Sequence, residues 1–320
     1  MLAPETILQD RYRVVRPLGR GGMGAVYEAV DKRLSRTVAL KETLGETAAL
    51  RRAFEREAHL LANLRHPALP NVIDHFDEGT GLFLVMEFIP GDDLGAALET
   101  NNRPFPADEV LRWADQLLDA LEYLHTHEPP VLHRDIKPAN LKLAARGQII
   151  LLDFGLAKGT TGEMAQTAGR SVLGYTPSYS SLEQIQGTGT DPRSDLYSLG
   201  ATLYHLLTAA KPPDALARAT AVVNGQPDPL VPAHEVNRQV TVATSHVITR
   251  AMSLNLDQRP RTAADMRHQL RSSASRVSAT VPVKADKGDD ETTRISLPAM
   301  TAATAQGGAP LDMQMDTRRA

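Results

Sequence analysis

The sequence predicts an α+β fold in two lobes, a small β-rich lobe followed by a larger α-helical one. Three observations carry this. Residues 12–89 hold short apolar runs bounded by glycine and polar residues, residues 92–270 hold apolar residues at helical spacing, and Pro90 and Gly91 interrupt both patterns where they meet. Composition agrees with one globular domain plus a tail: of 320 residues, 42% are apolar and 23% charged. The division read from it is a leader at 1–11, a domain at 12–270 (small lobe 12–86, connection 87–91, large lobe 92–270) and a tail at 271–320.

In chain order, YRVVRPL, GRGGMG and AVYEAV read as strand, glycine-rich connection and strand. A short buried strand follows at 37–40. At 48–64, Phe54, Leu60, Leu61 and Leu64 recur at helical spacing, so a helix is expected there. FLVMEFI at 83–89 reads as a further strand closed by Pro90. Helices are expected at 110–127, 193–209 and 240–252, separated by proline-rich breaks. Residues 271–320 contain no aromatic residue and are rich in Ser, Thr, Ala and Gly, the composition of a disordered tail.

Several function classes are excluded early. A formal net charge of -3 gives no basis for nucleic acid as a partner. The absence of cysteine excludes disulfides and thiolate metal sites. The sequence shows neither an apolar run of about 18 residues nor a basic-then-apolar leader, so a cytoplasmic protein is expected.

The densest chemistry lies in HRDIKPANLKL (133–143), followed by Asp153. The apolar runs 141–143 and 149–152 flank AARGQ, and a tight turn centred on Arg146 and Gly147 pairs residues whose numbers sum to 293. Asn140 then lies opposite Asp153, about 5 Å away. Two hard oxygen donors at one sheet edge suit Mg²⁺, which is held by few protein groups plus phosphates and water. Asp135, one turn of chain earlier, is placed to accept a proton. Singly, each of these residues is better read as a loop cap; it is their occurrence together, in order along one chain, that favours chemistry. Glu57 lies three and four residues from Phe54 and Leu61, so it emerges on the apolar face of its helix, where a carboxylate needs a cation.

Taken in order, the motifs resemble the protein kinases, most closely the bacterial eukaryotic-like (Hanks-type) serine/threonine kinases. Gly19-x-Gly21-x-x-Gly24-x-Val26 fits the glycine-rich loop, Val38-Ala39-Leu40-Lys41 the third-strand lysine, His133-Arg134-Asp135-x-x-x-x-Asn140 the catalytic loop, and Asp153-Phe154-Gly155 the metal-binding turn. A glycine pattern alone also fits a dinucleotide site; here a third strand with Val-Ala-x-Lys follows, where that fold would start a helix.

The resemblance implies the bilobal kinase fold, ATP as phosphoryl donor and Mg²⁺, with Mn²⁺ as an alternative. It implies Asp135 as base, Lys137 beside the transferred phosphate, Lys41 on the α- and β-phosphates oriented by Glu57, and Asn140 and Asp153 as metal ligands. Leu18, Gly19, Gly21, Gly22, Gly24, Val26, Ala39, Lys41, Met86, Glu87, Ile89 and Lys142 would line the nucleotide site. Lys142 departs from the Leu or Met usual beneath the base, its stem packing there with the ammonium reaching solvent. Arg134 before the base implies activation-loop phosphorylation, with Thr167 and Ser171 favoured over Thr160 and Thr161. Glu183 and Arg259 are expected to pair, Asp195 to tie the catalytic loop down, and Lys137 and Thr176 are serine/threonine-type choices. Protein substrates follow, a homodimer could serve trans-autophosphorylation, and DDETTRI resembles segments that forkhead-associated domains bind when phosphorylated, here at Thr292 or Thr293. A catalytically dead scaffold and a small-molecule phosphotransferase are the competing readings. Lys41, Asp135, Asn140 and Asp153 are all present, against the first; the full segment 153–183 favours protein substrates, against the second.

Overall fold

A computed structural model describes residues 1–21, 24–44, 47–153 and 176–275. Six strands form one antiparallel sheet in the order β1-β2-β3-β4-β6-β5: β1 (Ile7–Leu8), β2 (Tyr12–Gly21), β3 (Gly24–Asp31), β4 (Arg36–Leu44), β5 (Val72–Glu78) and β6 (Gly81–Glu87). In β3 every second residue is buried, so Ala25, Tyr27 and Ala29 face one apolar cluster with Val14, Val38, Leu40 and Phe83. Between β4 and β5 runs α1 (Ala48–Asn63), started by Thr47, whose hydroxyl accepts from Leu50 N at 3.2 Å. Its buried residues Phe54, Ala58 and Leu61 belong to the larger core cluster, which continues into the helical lobe.

The helical lobe is built from α2 (Leu94–Asn101), α3 (Ala107–His125), α4 (Leu182–Gln186), α5 (Pro192–Thr208), α6 (Ala215–Val223), α7 (Ala233–Val236), α8 (Val242–Ala251) and α9 (Ala263–Ser275). A capping box of Asp191 and Ser194 with Pro192 at the first turn starts α5. From Ser194 to Thr208 every residue of α5 is buried, which makes this helix the lobe's central post. A second, two-stranded sheet pairs β7 (Leu141–Leu143) with β8 (Ile149–Leu151).

Four expectations need correction. The leader is part of the small lobe: β1 pairs with β2, Leu8 is buried, and Leu2 N donates to Tyr27 Oη at 3.0 Å. The helical lobe does not stop at 270. Helix α9 runs to Ser275, because Ser273 is buried against Thr244 at 3.0 Å and Arg271 pairs with Asp115. The β7–β8 register sums to 292, not 293: Ala145–Gly147 form a three-residue 3₁₀ loop with Gly147 at φ +75°, and this odd loop slides the pairing by one residue. Asn140 therefore stands against Leu152, whose N–H donates to the Asn140 carbonyl at 2.8 Å. Finally, β1, β5, α2, α4, α6, α7 and α9 correspond to no expected element. Gly22, the candidate phosphosites Thr160, Thr161, Thr167 and Ser171, and the tail threonines Thr292 and Thr293 lie outside the described residues.

Candidate active site

Strand β4 carries Lys41, held between Val26 of β3 and Leu84 of β6. Its ammonium forms an ion pair with Asp153, which follows β8 and lies 112 residues away in the chain. This pair joins the two lobes. Asp153 takes a left-handed backbone, φ +61°, a conformation uncommon without glycine, which turns its carboxylate back towards Lys41.

Glu57 lies on the inward side of α1, half-buried, as its spacing predicts. No ion pair joins it to Lys41 among the described residues, contrary to the expected contact. Burial pushes the Glu57 carboxyl up to about 7, against the fields of Lys41 and Arg134, so near neutral pH it is only partly charged. The Asp153 side chain, 38% exposed, stands nearer solvent than that of Glu57, and it is the carboxylate that Lys41 meets.

Below Lys41, the segment from His133 to Asn140 is fixed by buried hydrogen bonds. Asp195, fully buried on α5, accepts from His133 N at 2.9 Å and Arg134 N at 2.8 Å, and His125 of α3 bonds the same carboxylate at 2.9 Å. These bonds sustain a left-handed Arg134 at φ +65° and aim the next residue, Asp135, into the cleft. His133 is fully buried; burial lowers its pKa, and its Nε2–H donates to the Leu152 carbonyl at 3.1 Å. Gln184 Nε2 donates to Arg134 O at 2.7 Å and Thr202 Oγ1 to Ile136 O at 3.2 Å. His125, Gln184 and Thr202 escaped the sequence reading. The available signal was polar residues recurring along otherwise apolar helices, since buried polar groups need partners.

On this platform four side chains meet. Lys137 Nζ donates to Asp135 Oδ2 at 2.9 Å and to Thr176 Oγ1 at 3.1 Å; Asn140 Nδ2 donates to Asp135 O at 2.7 Å and Asp135 Oδ2 at 3.1 Å. One carboxylate oxygen thus meets two donors, which holds its direction. The Glu183–Arg259 pair forms as expected, with contacts of 2.7 and 3.0 Å around a fully buried guanidinium.

Asn140 and Asp153 offer what a hard divalent cation takes. The Asn140 amide spends its nitrogen on Asp135 and leaves its oxygen as an acceptor, and Asp153 brings a carboxylate. No group of three or more His, Cys, Asp or Glu side chains stands ready to hold a metal among the described residues, so a cation here would need outside oxygens, such as phosphates and water. The donor set fits Mg²⁺ or Mn²⁺ brought in with a nucleotide.

Above the cleft, β2 and β3 pair Gly19 with Val26 and Gly21 with Gly24. A Cβ on Gly24 would run into the Glu42 backbone carbonyl, so glycine is required there by the sheet itself. Nothing lies within 4 Å of a Cβ built on Gly19. Leu18 is exposed, Ala39 and Ile89 are buried, and Met86 is half-buried against the larger core. Glu87 accepts from Asn71 Nδ2 at 3.0 Å. Lys142 departs from its expected course: its ammonium does not run out to solvent but donates to the Ile89 carbonyl at 3.0 Å.

A β-rich lobe over a helical lobe, with a lysine, two aspartates and an asparagine gathered where the lobes meet, defines the protein kinase-like class of folds. The chain belongs to the protein kinase family: the profile of the protein kinase domain matches residues 12–270, a span that holds every one of these side chains. It is 37% identical over 296 residues to the serine/threonine-protein kinase PksC of Streptomyces coelicolor, covering 88% of this chain and 52% of that protein. It is 36% identical over 295 residues to the serine/threonine-protein kinase pkn2 of Myxococcus xanthus, covering 88% and 35%. The solved apo structure of PpkA-294 superposes with a TM-score of 0.68 at 25% identity, covering 84% of this chain and 99% of that one. The chain thus spans from about a third to a half of the length of these curated relatives. Among the described residues no helix is long and apolar enough to cross a membrane.

Proposed function

We propose that the chain is an ATP- and Mg²⁺-dependent protein serine/threonine kinase that transfers the γ-phosphoryl group of ATP to Ser or Thr hydroxyls of protein substrates in bacterial signalling. The observation that carries this reading is the meeting of Lys41 and Asp153 across the lobes, with Asp153 one residue past Leu152, whose N–H donates to the carbonyl of Asn140 in the Lys137–Asp135–Asn140 cluster. ATP supplies the phosphoryl group, and the divalent ion neutralises charge on its phosphates.

The chain's own groups do the rest. Asp135 accepts the proton of the attacking hydroxyl, and its carboxylate is held by Lys137 and Asn140 so that little reorientation is needed. Lys137, bonded to both Asp135 and Thr176, places a positive charge where the transferred group gains negative charge. Asp153 and Asn140 would hold the divalent ion, which would supply positive charge to the phosphates, and Lys41 would then be left to meet the nucleotide's phosphates. Glu57 then takes up Lys41, and the pairing restores the charge that burial suppresses.

Arg134 and the segment from Asp153 to Glu183 support regulation by phosphorylation at Thr167 or Ser171, with a homodimer as the route to trans-autophosphorylation. Phosphorylated Thr292 or Thr293 would offer a forkhead-associated domain its ligand; a pulldown with the phosphorylated peptide that captures no such domain removes that partner. The test of the main reading is incubation of the purified protein with labelled ATP and Mg²⁺, followed by phosphosite mapping. Label on Ser or Thr is expected, and its loss in Lys41→Met and Asp135→Asn. Wild-type protein that labels no hydroxyl refutes it.

A further inference from the structure

One side chain in the nucleotide cleft makes a contact that the phosphoryl chemistry does not use. Lys142, on β7, sends its ammonium to the Ile89 carbonyl at 3.0 Å, and its own backbone pairs with Asp93 in an isolated bridge. Ile89 precedes Pro90, and a residue before proline is pushed into extended backbone. In extended backbone the N–H and C=O of one residue point to the same side. The two hydrogen-bonding groups of Ile89 are therefore neighbours, yet they are treated differently. Its carbonyl is taken by a cation, while its N–H has no hydrogen-bond partner among the described residues.

This asymmetry filters what can sit against the connection. A base that presents an acceptor to the Ile89 N–H and a plain C–H beside it meets no conflict. Adenine does this through N1 and C2–H. A base with an amino group on C2 brings a donor to a carbonyl that is already occupied, and brings it against an ammonium.

We propose that Lys142 is a specificity-determining residue of the nucleotide site: by holding the Ile89 carbonyl, it makes the cleft reject purine nucleotides that carry a 2-amino group while admitting adenine. The proposal rests on the nucleotide-site reading above and adds the base that this site selects. Rejection arises from a donor brought against the Lys142 ammonium at a carbonyl that already accepts from it.

The test compares ATP with 2-amino-ATP, which keeps the 6-amino group and N1 and differs only at C2. For the wild type, kcat/KM for ATP is expected to exceed that for 2-amino-ATP by about tenfold or more. In Lys142→Met and Lys142→Leu the carbonyl is released to accept from the 2-amino group, and the ratio is expected to fall to about one or below. A change in overall packing would lower both values together and leave the ratio in place. Calorimetric binding of ADP and 2-amino-ADP separates the two levels of the argument. Wild-type protein that binds both equally, or a ratio unmoved in both variants, overturns the role of Lys142 alone; wild-type protein that binds neither overturns the nucleotide site itself.

Discussion

Replacing Arg259 with methionine removes the cation that Glu183 was folded around. The guanidinium is fully buried, bonds both Glu183 oxygens at 2.7 and 3.0 Å, donates to Ser253 O at 2.8 Å and Arg193 O at 3.2 Å, and lies 5.0 Å from the Tyr197 ring centroid. After substitution Glu183 keeps the Ser194 hydroxyl, at 2.7 Å, and loses its counter-charge. Breaking a buried pair from one side costs about 3–5 kcal/mol, a large share of the roughly 5–15 kcal/mol that holds a domain folded. Part of the cost is the stranded carboxylate, so Arg259→Met with Glu183→Gln should recover about 1–2 kcal/mol of it. Urea unfolding of the wild type, both single variants and the double variant closes the cycle. Acid supplies a second readout. Burial alone would raise the Glu183 pKa, but Arg259 and the neighbouring hydroxyls bring it down to about 2. A carboxylate depressed from 4.5 contributes stability that is present above pH 4.5 and lost as pH falls towards 2, and Arg259→Met should lack that loss. A single-variant cost below about 1 kcal/mol, or a double variant no more stable than Arg259→Met, refutes the reasoning.

Glu57 gives the opposite pH signature. Its carboxyl is raised from 4.5 to about 7, so it costs stability progressively as pH rises through that window, by at most about 3 kcal/mol before screening by solvent. Glu57→Gln should therefore gain about 2 kcal/mol on the wild type between pH 5 and pH 8 in ligand-free thermal or urea unfolding, and an equal difference at both pH values refutes the shift. Asp135→Asn is expected to lower phosphoryl transfer by about 10²- to 10⁴-fold with the fold intact by circular dichroism, and retained activity removes Asp135 as base. Gly24→Ala forces a Cβ into the Glu42 carbonyl and should destabilise the β2–β3 hairpin by about 1–3 kcal/mol, read as earlier hydrogen exchange there; unchanged protection counts against it.

Much of this architecture was legible because function and fold are written in residues close together in sequence. The segment from Asp135 to Asn140 places Asp135, Lys137 and Asn140 within six positions, and its anchoring to Asp195, implied by the family resemblance, is met by two backbone N–H bonds to that carboxylate. Legibility failed where a partner came from far away in the chain. Strand β5 reads as polar, VIDHFDE, and becomes a strand because Asp74 is met by Arg11 at 3.0 Å and Tyr12 at 2.8 Å. The β7–β8 register failed by one residue because a two-residue and a three-residue turn are nearly alike in composition. Which carboxylate Lys41 meets, Glu57 or Asp153, depends on tertiary placement, which no spacing rule contains.

The first eleven residues carry a practical warning about where similarity begins. The family match starts at Tyr12, yet the guanidinium of Arg11 grips the fully buried Asp31 at 2.7 and 3.0 Å and reaches Asp74 as well. A chain trimmed to the matched span would strand Asp31 without its counter-ion, bare the outer edge of β2 and lose Leu8 from the upper cluster. Such a protein would be expected to clump during expression, and its silence in an assay would say nothing about its chemistry.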